Sequence, residues 1–282
     1  MNITKGDYVV RLSYDCDVVF KVIDIKNDIY YLKGVDVRLY ADSELEDLKK
    51  IEYKNDDSYF EKNIEDKVNL DRDSYFYLPG KILHFDGDSD YLKRCLDFYK
   101  KTGVLAVGKC IKENELPKYI SKYLNDVKPD IVIITGHDAY YKDKGNKNDN
   151  NNYQNSTNFI KSVINARKYE KSHDKLVIIA GACQSNYEAL IKAGANYASS
   201  PKRINIHALD PAIIAVTVAL TERNSKIDLI DLLERTKYGH DGMGGIIGNG
   251  LMYVGYPRWI QYLLKHIFRI MLARLWISKF SA

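Results

Sequence analysis

Residues 130–138 read DIVIITGHD, and residues 175–185 read KLVIIAGACQS. In both stretches a run of aliphatic, mostly β-branched residues leads into a glycine, and polar side chains do not alternate with apolar ones. A strand with this pattern is covered on both faces, which is typical of a parallel sheet that lies between helices. The two stretches therefore predict neighbouring strands at the centre of an α/β fold.

Around these two strands, strand-like and helix-like patterns alternate from residue 78 onward. The predicted strands are 81–86, 104–108, 130–135, 175–180 and 195–199. The predicted helices are 89–102, 114–127, 155–169, 186–193, 211–220 and 228–237. Repeated strand–helix units of this kind indicate a parallel sheet with helices on both faces, and we expect one α/β domain over residues 78–258.

The first 50 residues have a different pattern, in which short β-branched and aromatic runs are separated by turn residues. The predicted strands are 7–12, 18–25 and 29–34, and 35–40 could be a fourth. This spacing predicts a small SH3-like β-barrel over residues 1–50. Residues 41–48 are predicted to begin a helix, because Asp42 or Ser43 could cap it.

Two further segments flank the α/β domain. Residues 51–77 are dense in Asp, Asn, Lys and Glu, which predicts a charged linker with a short helix in it. Residues 259–282 are apolar and helical in pattern but are interrupted by Lys265, Arg269, Arg274 and Lys279. This pattern predicts a basic amphipathic helical tail that either lies on a membrane surface or docks on the body of the protein.

Charge and cysteine content restrict the function classes. The chain of 282 residues has 42 Lys and Arg against 38 Asp and Glu, a formal net charge of +4. The tail carries all of this excess, so the rest is neutral, which argues against nucleic-acid binding. Four cysteines without a CxxC pair exclude a zinc ribbon, and we expect no metal and no cofactor. The first residues lack a signal-peptide pattern, so we expect reduced thiols and a cytoplasmic location.

Two reactive side chains follow the two central strands, where parallel strands present their carboxyl ends to ligands. His137 follows the first strand and Cys183 the second, and adjacent strands lie about 5 Å apart. We therefore expect the two at one edge of the sheet, where an imidazole can favour the nucleophilic thiolate. The N–H groups of Gly136 and Cys183 could stabilise an oxyanion. The alternative is a thiol that packs as a small apolar side chain beside a structurally hydrogen-bonded histidine.

A family resemblance rests on short motifs distributed over residues 1–258. They are GDYVVR (6–11), LPGKILHFDGD (78–88), TGHD (135–138), GACQSN (181–186), SSPKR (199–203), IHALDP (206–211), GMGG (242–245) and VGYPR (254–258). With these motifs the chain resembles the YabG family of sporulation-specific proteases, within the caspase- and clostripain-like class of cysteine proteases. The resemblance implies a caspase-like three-layer domain, with Cys183 as nucleophile and His137 as general acid and base. In that class glycine usually follows the histidine, whereas here Gly136 precedes it and Asp138 follows.

The resemblance also implies a substrate class and a place of action. It implies hydrolysis of spore coat and cortex-associated proteins after basic residues, arginine above all, during sporulation. The protein would act in the cytoplasm of the mother cell and associate with the forespore and the spore coat. Several proteases of this class are activated by self-cleavage in a loop, and the lysine-containing loop 141–154 is a candidate for such a cut. The oligomeric state is left open.

An arginine side chain in the cleft requires a carboxylate partner. Asp86 and Asp210 are the first candidates, because each follows or ends a strand or loop expected near the same edge of the sheet. Asp88 and Asp138 are the other two.

Two different function classes stay open. One is a non-catalytic binding or scaffold protein of the spore coat, and the other is a flavodoxin-like receiver, in which Asp86 and Asp88 would form an acidic pocket. His207 and His240 are alternative bases, although neither follows a strand that is apolar on both faces. The glycine-rich stretch 239–245 lacks the Lys-Ser/Thr pair of a phosphate loop and is predicted to form a flexible flap.

Overall fold

The computed structural model describes residues 2–54, 57, 60, 73–141 and 145–258. The predicted helical tail and the central part of the predicted linker lie outside these residues. No helix among the described residues is long and apolar enough to cross a membrane.

The N-terminal residues form a five-stranded antiparallel sheet, the N-terminal sheet. Its strands are β1 (Tyr8–Arg11), β2 (Phe20–Lys26), β3 (Ile29–Gly34), β4 (Tyr40–Glu44) and β5 (Leu48–Ile51). The strand order is β4-β3-β2-β1-β5. Phe20, Val22 and Leu32 are buried together on one side, as the two-residue repeat of a strand requires.

The predicted helix over residues 41–48 is wrong, and so is the predicted strand over 35–40. β4 begins only at Tyr40 and pairs with β3 along its whole length, and a single 3₁₀ turn separates it from β5. The hydroxyl of Ser43 does not cap a helix but donates to the carboxylate of Asp47 at 3.0 Å. Pairing with a neighbouring strand has therefore outweighed the local capping signal.

The rest of the described chain alternates strands and helices, which confirms the α/β expectation. In order these are β6 (Phe76–Leu78), β7 (Ile82–Asp86), α1 (Ser89–Lys101), β8 (Ala106–Cys110), α2 (Leu116–Val127), β9 (Ile131–Ile134), α3 (Ser156–Tyr169), β10 (Val177–Ala180), α4 (Tyr187–Lys192), β11 (Tyr197–Ser199), α5 (Asp210–Leu220), α6 (Leu229–Glu234), α7 (Gly239–Gly242), β12 (Met243–Gly245) and β13 (Tyr253–Gly255). Strands β7 to β12 form the main sheet, in the order β12-β11-β10-β9-β7-β8. All its strands are parallel except β12. β6 and β13 form a separate antiparallel pair.

Helices cover both faces of the main sheet. β9 and β10 are buried along their whole length. Ile133 and Ile179 belong to the core that contains the buried residues of α1, α5 and α6. Val132 and Ile178 belong to the core on the other face, with α2, α3 and α4. The uninterrupted apolar runs of the two strands thus correspond to two separate cores, one on each face.

The glycine-rich stretch 239–245 is not a flap, and that prediction is wrong. It forms α7 and β12, and β12 ends the main sheet by pairing antiparallel with β11. A Cβ atom on Gly245 would lie 2.4 Å from the ring of Tyr197, so this edge strand accepts only glycine there. The strand was missed because it lacks the β-branched residues that mark most strands.

A buried carboxylate ties the loop after β9 to the loop after β10. Oδ2 of Asp138 accepts hydrogen bonds from the hydroxyls of Ser156 at 2.5 Å and Ser185 at 2.8 Å. Oδ1 accepts from the backbone N–H groups of Asn155 at 2.7 Å and Ala139 at 3.0 Å. Burial raises the pKa of this carboxyl group. Because both oxygens are engaged within the chain, Asp138 braces the two loops.

We expect Asp138→Asn to lower the free energy of unfolding by about 1–3 kcal/mol, because the amide NH₂ would face a hydroxyl or N–H donor in a buried site. Urea denaturation followed by circular dichroism measures the change. Asp126→Asn, at an exposed position, is the matched control and should leave stability unchanged. Equal stability of the Asp138→Asn variant and the wild type would contradict the bracing role.

Candidate active site

His137 and Cys183 occupy equivalent positions in two neighbouring loops. β9 and β10 are adjacent parallel strands, as predicted, and Ile134 pairs with Ala180 at their carboxyl ends. His137 is the third residue after Ile134, and Cys183 is the third after Ala180. Both residues therefore leave the sheet at the same edge and at the same level.

Cys183 is fully buried at the start of the loop after β10. Its sulfur accepts the backbone N–H of Ile206 at 3.4 Å and lies 3.8 Å from the carbonyl oxygen of the same residue. Burial raises the pKa of the thiol, although the backbone of Ile206 and the charge of Arg38 act in the opposite direction. The turn before it requires glycine, because Gly181 has a φ of +104°.

Glu113, in the loop after β8, orients the imidazole of His137. Its Oε1 accepts the backbone N–H of His137 at 2.8 Å and lies 3.3 Å from Nδ1. Burial would raise the pKa of Glu113, but its hydrogen bonds with His137 hold it below its usual value. Gly87 and Gly136 make room for this carboxylate, since a Cβ atom on either would lie within 2.3 Å of it. With Nδ1 facing Glu113, Nε2 is the nitrogen available for proton transfer.

Glu113 was not among the residues predicted from the sequence. The available signal was an acidic residue after a parallel strand, at the edge where ligands bind. β8 was predicted to end at residue 108, but it runs to Cys110. Glu113 was therefore predicted to lie two residues farther from the end of the strand than it does.

The imidazole and the thiol do not share a hydrogen bond. Nε2 of His137 has no hydrogen-bond partner in the described part of the chain, and Oδ2 of Asp88 lies 3.8 Å from it. The ring of Tyr40 packs on the imidazole with centroids 4.8 Å apart. The backbone N–H groups of Gly136 and Cys183 likewise donate to no acceptor among the described residues. The site thus contains a thiol, an oriented imidazole and two uncommitted N–H donors.

Asp86, the last residue of β7, holds the guanidinium of Arg38. Nε and Nη2 of Arg38 lie 3.2 Å and 2.8 Å from Oδ2 of Asp86, and neither side chain is exposed. Nη1 of Arg38 donates to the carbonyl oxygen of Ala208 at 2.8 Å. Burial by itself would raise the pKa of Asp86, but the charge of Arg38 and the nearby imidazole of His84, whose Nε2 lies 3.7 Å from Oδ2, hold it well below its usual value. This edge of the sheet therefore contains a buried pocket in which a guanidinium donates to a carboxylate and to a carbonyl oxygen.

The other candidate carboxylates are engaged elsewhere. Asp210 is fully buried and accepts two backbone N–H groups, each at 2.9 Å. Asp88 caps α1 and accepts hydrogen bonds from Lys33 Nζ at 2.8 Å and from the hydroxyl of Tyr40 at 2.9 Å. Of the four acids predicted from the sequence, Asp86 is the one that holds a guanidinium.

The alternative bases have carboxylate neighbours of their own. Nε2 of His207 lies 3.6 Å from the carboxylate of Asp36. The side chain of His240 is 84% exposed and lies 3.3 Å from Asp241. His84 is buried in the core, with Nδ1 2.7 Å from the hydroxyl of Tyr99. No cluster of His, Cys, Asp and Glu that could hold a metal ion is present in the described ranges.

Comparison with known proteins shows the family of the chain. The model of the family described as YabG peptidase U57 matches residues 4–257. The chain is also 42% identical over 288 residues to the sporulation-specific protease YabG of Bacillus subtilis (strain 168), an alignment that covers 91% of this chain and 99% of that protein. The protein therefore belongs to the YabG peptidase family, a family of sporulation proteases.

Proposed function

We propose that this protein is a cysteine endopeptidase that cleaves proteins after arginine, with Cys183 as the nucleophile and His137 as the general acid and base. The observation that carries the proposal is the equivalent position of these two residues after β9 and β10. A thiol and an oriented imidazole at one sheet edge, in a family of peptidases, provide the groups that acyl transfer to a cysteine needs.

In the proposed reaction the sulfur of Cys183 forms a bond to the carbonyl carbon of the substrate. His137 accepts the thiol proton as the substrate binds, and the N–H groups of Gly136 and Cys183 donate to the oxyanion. His137 Nε2 then gives the proton to the leaving amine as the C–N bond breaks. Water hydrolyses the resulting thioester and regenerates the thiol. Glu113 acts through His137 and is a positioning residue.

The preference for arginine is assigned to Asp86. Its carboxylate is buried and ionised, and it already accepts a hydrogen bond from the guanidinium of Arg38. The carbonyl oxygen of Ala208 accepts another hydrogen bond from the same guanidinium. A lysine would make fewer hydrogen bonds in such a pocket, because an ammonium lacks the planar fork of a guanidinium. The proposed specificity is therefore arginine rather than basic residues in general.

The proposed substrates are spore coat and cortex-associated proteins, and the proposed location is the cytoplasm of the mother cell and then the spore coat. The name of the Bacillus subtilis relative supports a role in sporulation. Self-cleavage in the loop 141–154 is part of the proposal, although residues 142–144 lie outside the described ranges.

We also propose a caspase-like fold for residues 78–258 and an SH3-like barrel for residues 1–50. The first is supported by five parallel strands, an antiparallel edge strand and helices on both faces. The second is supported by five short antiparallel strands, in which a 3₁₀ turn precedes β5 and β5 pairs with β1.

Cys183→Ala is expected to abolish hydrolysis of peptides with an internal arginine, because no other group replaces the attacking sulfur. Cleavage at micromolar enzyme over several hours, followed by mass spectrometry, measures it, and circular dichroism checks folding. Cys110→Ala, which removes an exposed thiol, is the control and should retain activity. Undiminished hydrolysis by the Cys183→Ala variant would refute the assignment.

Asp86→Asn is expected to reduce the preference for arginine over citrulline by about 100-fold, since citrulline has the same shape without the charge and a buried charged hydrogen bond contributes several kcal/mol. The ratio of kcat/KM for two peptides that differ only in this residue measures it, and a ratio does not depend on the folded fraction. Asp210→Asn is the matched control and should keep the wild-type ratio. A wild-type ratio in the Asp86→Asn variant would show that Asp86 does not bind the substrate arginine.

Glu113→Gln is expected to lower kcat by about ten-fold or more while KM changes little, because the imidazole loses the carboxylate that fixes its tautomer and direction. Steady-state kinetics on an arginine peptide separates kcat from KM. Glu115→Gln, at a neighbouring exposed position, is the control. An unchanged kcat in Glu113→Gln would show that the carboxylate does not position the imidazole.

A further inference from the structure

The segment between β3 and β4, residues 35–39, leaves the N-terminal sheet and lies across the candidate active site. We call it the 35–39 segment. The segment connects two strands of the N-terminal sheet, whereas His137 and Cys183 follow strands of the main sheet. Val37 is nevertheless part of the same buried core as Cys183. Each part of the segment makes a contact that a bound peptide substrate would make.

The side chain of the segment that enters the pocket is Arg38. It is 1% exposed, and it is the largest fully buried side chain of the described chain. Besides its bonds to Asp86 and Ala208, its guanidinium lies 5.3 Å from the ring centroid of Tyr91. Burial opposes the charged form, but the carboxylate of Asp86 more than compensates and raises the pKa of Arg38. The chain has thus placed its own arginine where the proposed function requires that of a substrate.

The main chain of the segment pairs with residues 207 and 208 through one isolated bridge. The N–H of Ala208 donates to the carbonyl oxygen of Asp36 at 2.6 Å, and Val37 forms an antiparallel bridge with His207. Addition of an extended peptide to an exposed backbone edge is a common mode of peptide recognition. The same backbone edge contacts the sulfur of Cys183, which accepts the N–H of Ile206 at 3.4 Å, and the charge of Arg38 lowers the pKa of the thiol against the effect of burial. The edge that holds the segment therefore also lies at the nucleophile.

The segment and the strand after it cover both reacting groups. Cys183 has no exposed surface, and the ring of Tyr40 packs on His137. The hydroxyl of Tyr91 lies 2.5 Å from the carbonyl oxygen of Gly34 and 2.8 Å from that of Val37, and its one proton, donated to either oxygen or shared between them, holds the segment in place. A second arginine side chain has no room in the pocket while the segment is in place.

The chain turns back immediately after Arg38. The N–H of Leu39 donates to the carbonyl oxygen of Val37 at 2.9 Å, and the N–H of Gly34 donates to the carbonyl oxygen of Leu39 at 2.7 Å. These bonds fold the peptide bond after Arg38 into a compact turn, whereas a peptide that adds to a strand edge is extended. The turn explains how the segment can fill the site without being cut.

We propose that the 35–39 segment is a built-in, substrate-like inhibitor, which must leave the cleft before an arginine substrate can bind. The proposal rests on the proposed function for the identity of the pocket. A tethered segment has an effective concentration of about millimolar, so it competes well with substrates of ordinary affinity. Displacement of the segment, by a partner protein or by movement of the N-terminal sheet, is the step that starts catalysis.

Two substitutions test the proposal at different points of the segment. Arg38→Ala removes the side chain from the pocket. Asp36→Asn keeps Arg38 but weakens an anchor outside the pocket, where Oδ1 of Asp36 accepts Tyr53 at 2.7 Å and Arg94 at 2.9 Å. The second variant keeps the proposal testable should Arg38→Ala fail to fold, because Asp86 retains its partner. Lys49→Ala, which removes an exposed cation from β5, is the matched control.

Two measurements on the full chain are made in parallel. The first is the rate at which iodoacetamide alkylates Cys183, quantified by peptide mass spectrometry with the exposed Cys16 as internal reference. The second is kcat/KM for a peptide with an internal arginine. We expect Arg38→Ala to increase both by more than about ten-fold, Asp36→Asn to increase both by a smaller factor, and Lys49→Ala to change neither.

The outcomes separate this proposal from the proposed function. Faster alkylation without any hydrolysis would support the inhibitor and refute the peptidase assignment. Hydrolysis with wild-type rates in folded Arg38→Ala and in Asp36→Asn would support the peptidase and overturn the inhibitor. Stoichiometric cleavage between Arg38 and Leu39 in the wild type, absent from Cys183→Ala, would also overturn it, because the segment would then be a substrate.

Discussion

The ion pair between Arg38 and Asp86 joins the N-terminal sheet to the main sheet through a fully buried contact. Moving two charges out of water costs several kcal/mol for each ion, and only good geometry with additional hydrogen bonds offsets that cost. Those additional bonds are present, because Arg38 also donates to Ala208 and Asp86 also accepts the N–H of Asp88. Loss of one partner with the other left buried would cost about 3–5 kcal/mol. The form of the pocket and the cover over Cys183 depend on this contact, while the hydrogen bonds of Lys33 and Tyr40 with Asp88 add to the docking of the N-terminal sheet.

The same contact explains an apparent conflict at the candidate active site. A nucleophilic cysteine is usually partly exposed and has a low pKa, whereas Cys183 is buried and its pKa is raised by burial. The 35–39 segment contributes to that burial, since Val37 packs in the same core as Cys183. In the proposed scheme, departure of the 35–39 segment would return water to the sulfur and remove part of the cause of the raised pKa. The closed cleft and the protonated thiol would then have the same cause, which is the presence of the 35–39 segment in the site.

The sequence predicted the α/β part of the fold well, because its signals are local. The apolar runs that become β9 and β10 mark strands covered on both faces, and their carboxyl ends placed His137 and Cys183 at one edge. The N-terminal part was predicted less well, because β4 exists only through its pairing with β3. A capping signal at Ser43 is visible in the sequence, whereas the partner strand that overrides it is not.

Long-range contacts also limited how much of the site could be predicted from the sequence. Four acids were plausible partners for a guanidinium, and nothing local distinguishes Asp86 from Asp210. The difference appears only when the chain brings together residues 48 positions apart, Arg38 and Asp86. Glu113 acquires its role in the same way, by reaching His137 from the loop of another strand. Sequence patterns could thus indicate which residues are reactive, but not which neighbours they would have.

Specificity and inhibition are coupled in this arrangement, because the carboxylate proposed to select a substrate arginine is the one that binds Arg38. A change at Asp86 would weaken both, so a loss of self-inhibition there would be hidden by the loss of substrate binding. Asp36 lies outside the pocket and holds the segment through Tyr53 and Arg94, which contact neither Cys183 nor His137 through any hydrogen bond in the described chain. A partner that competes for Asp36 or its anchors could therefore open the cleft and leave the arginine pocket intact. We expect activation to begin at this partly exposed anchor and not at the buried pair of Arg38 and Asp86.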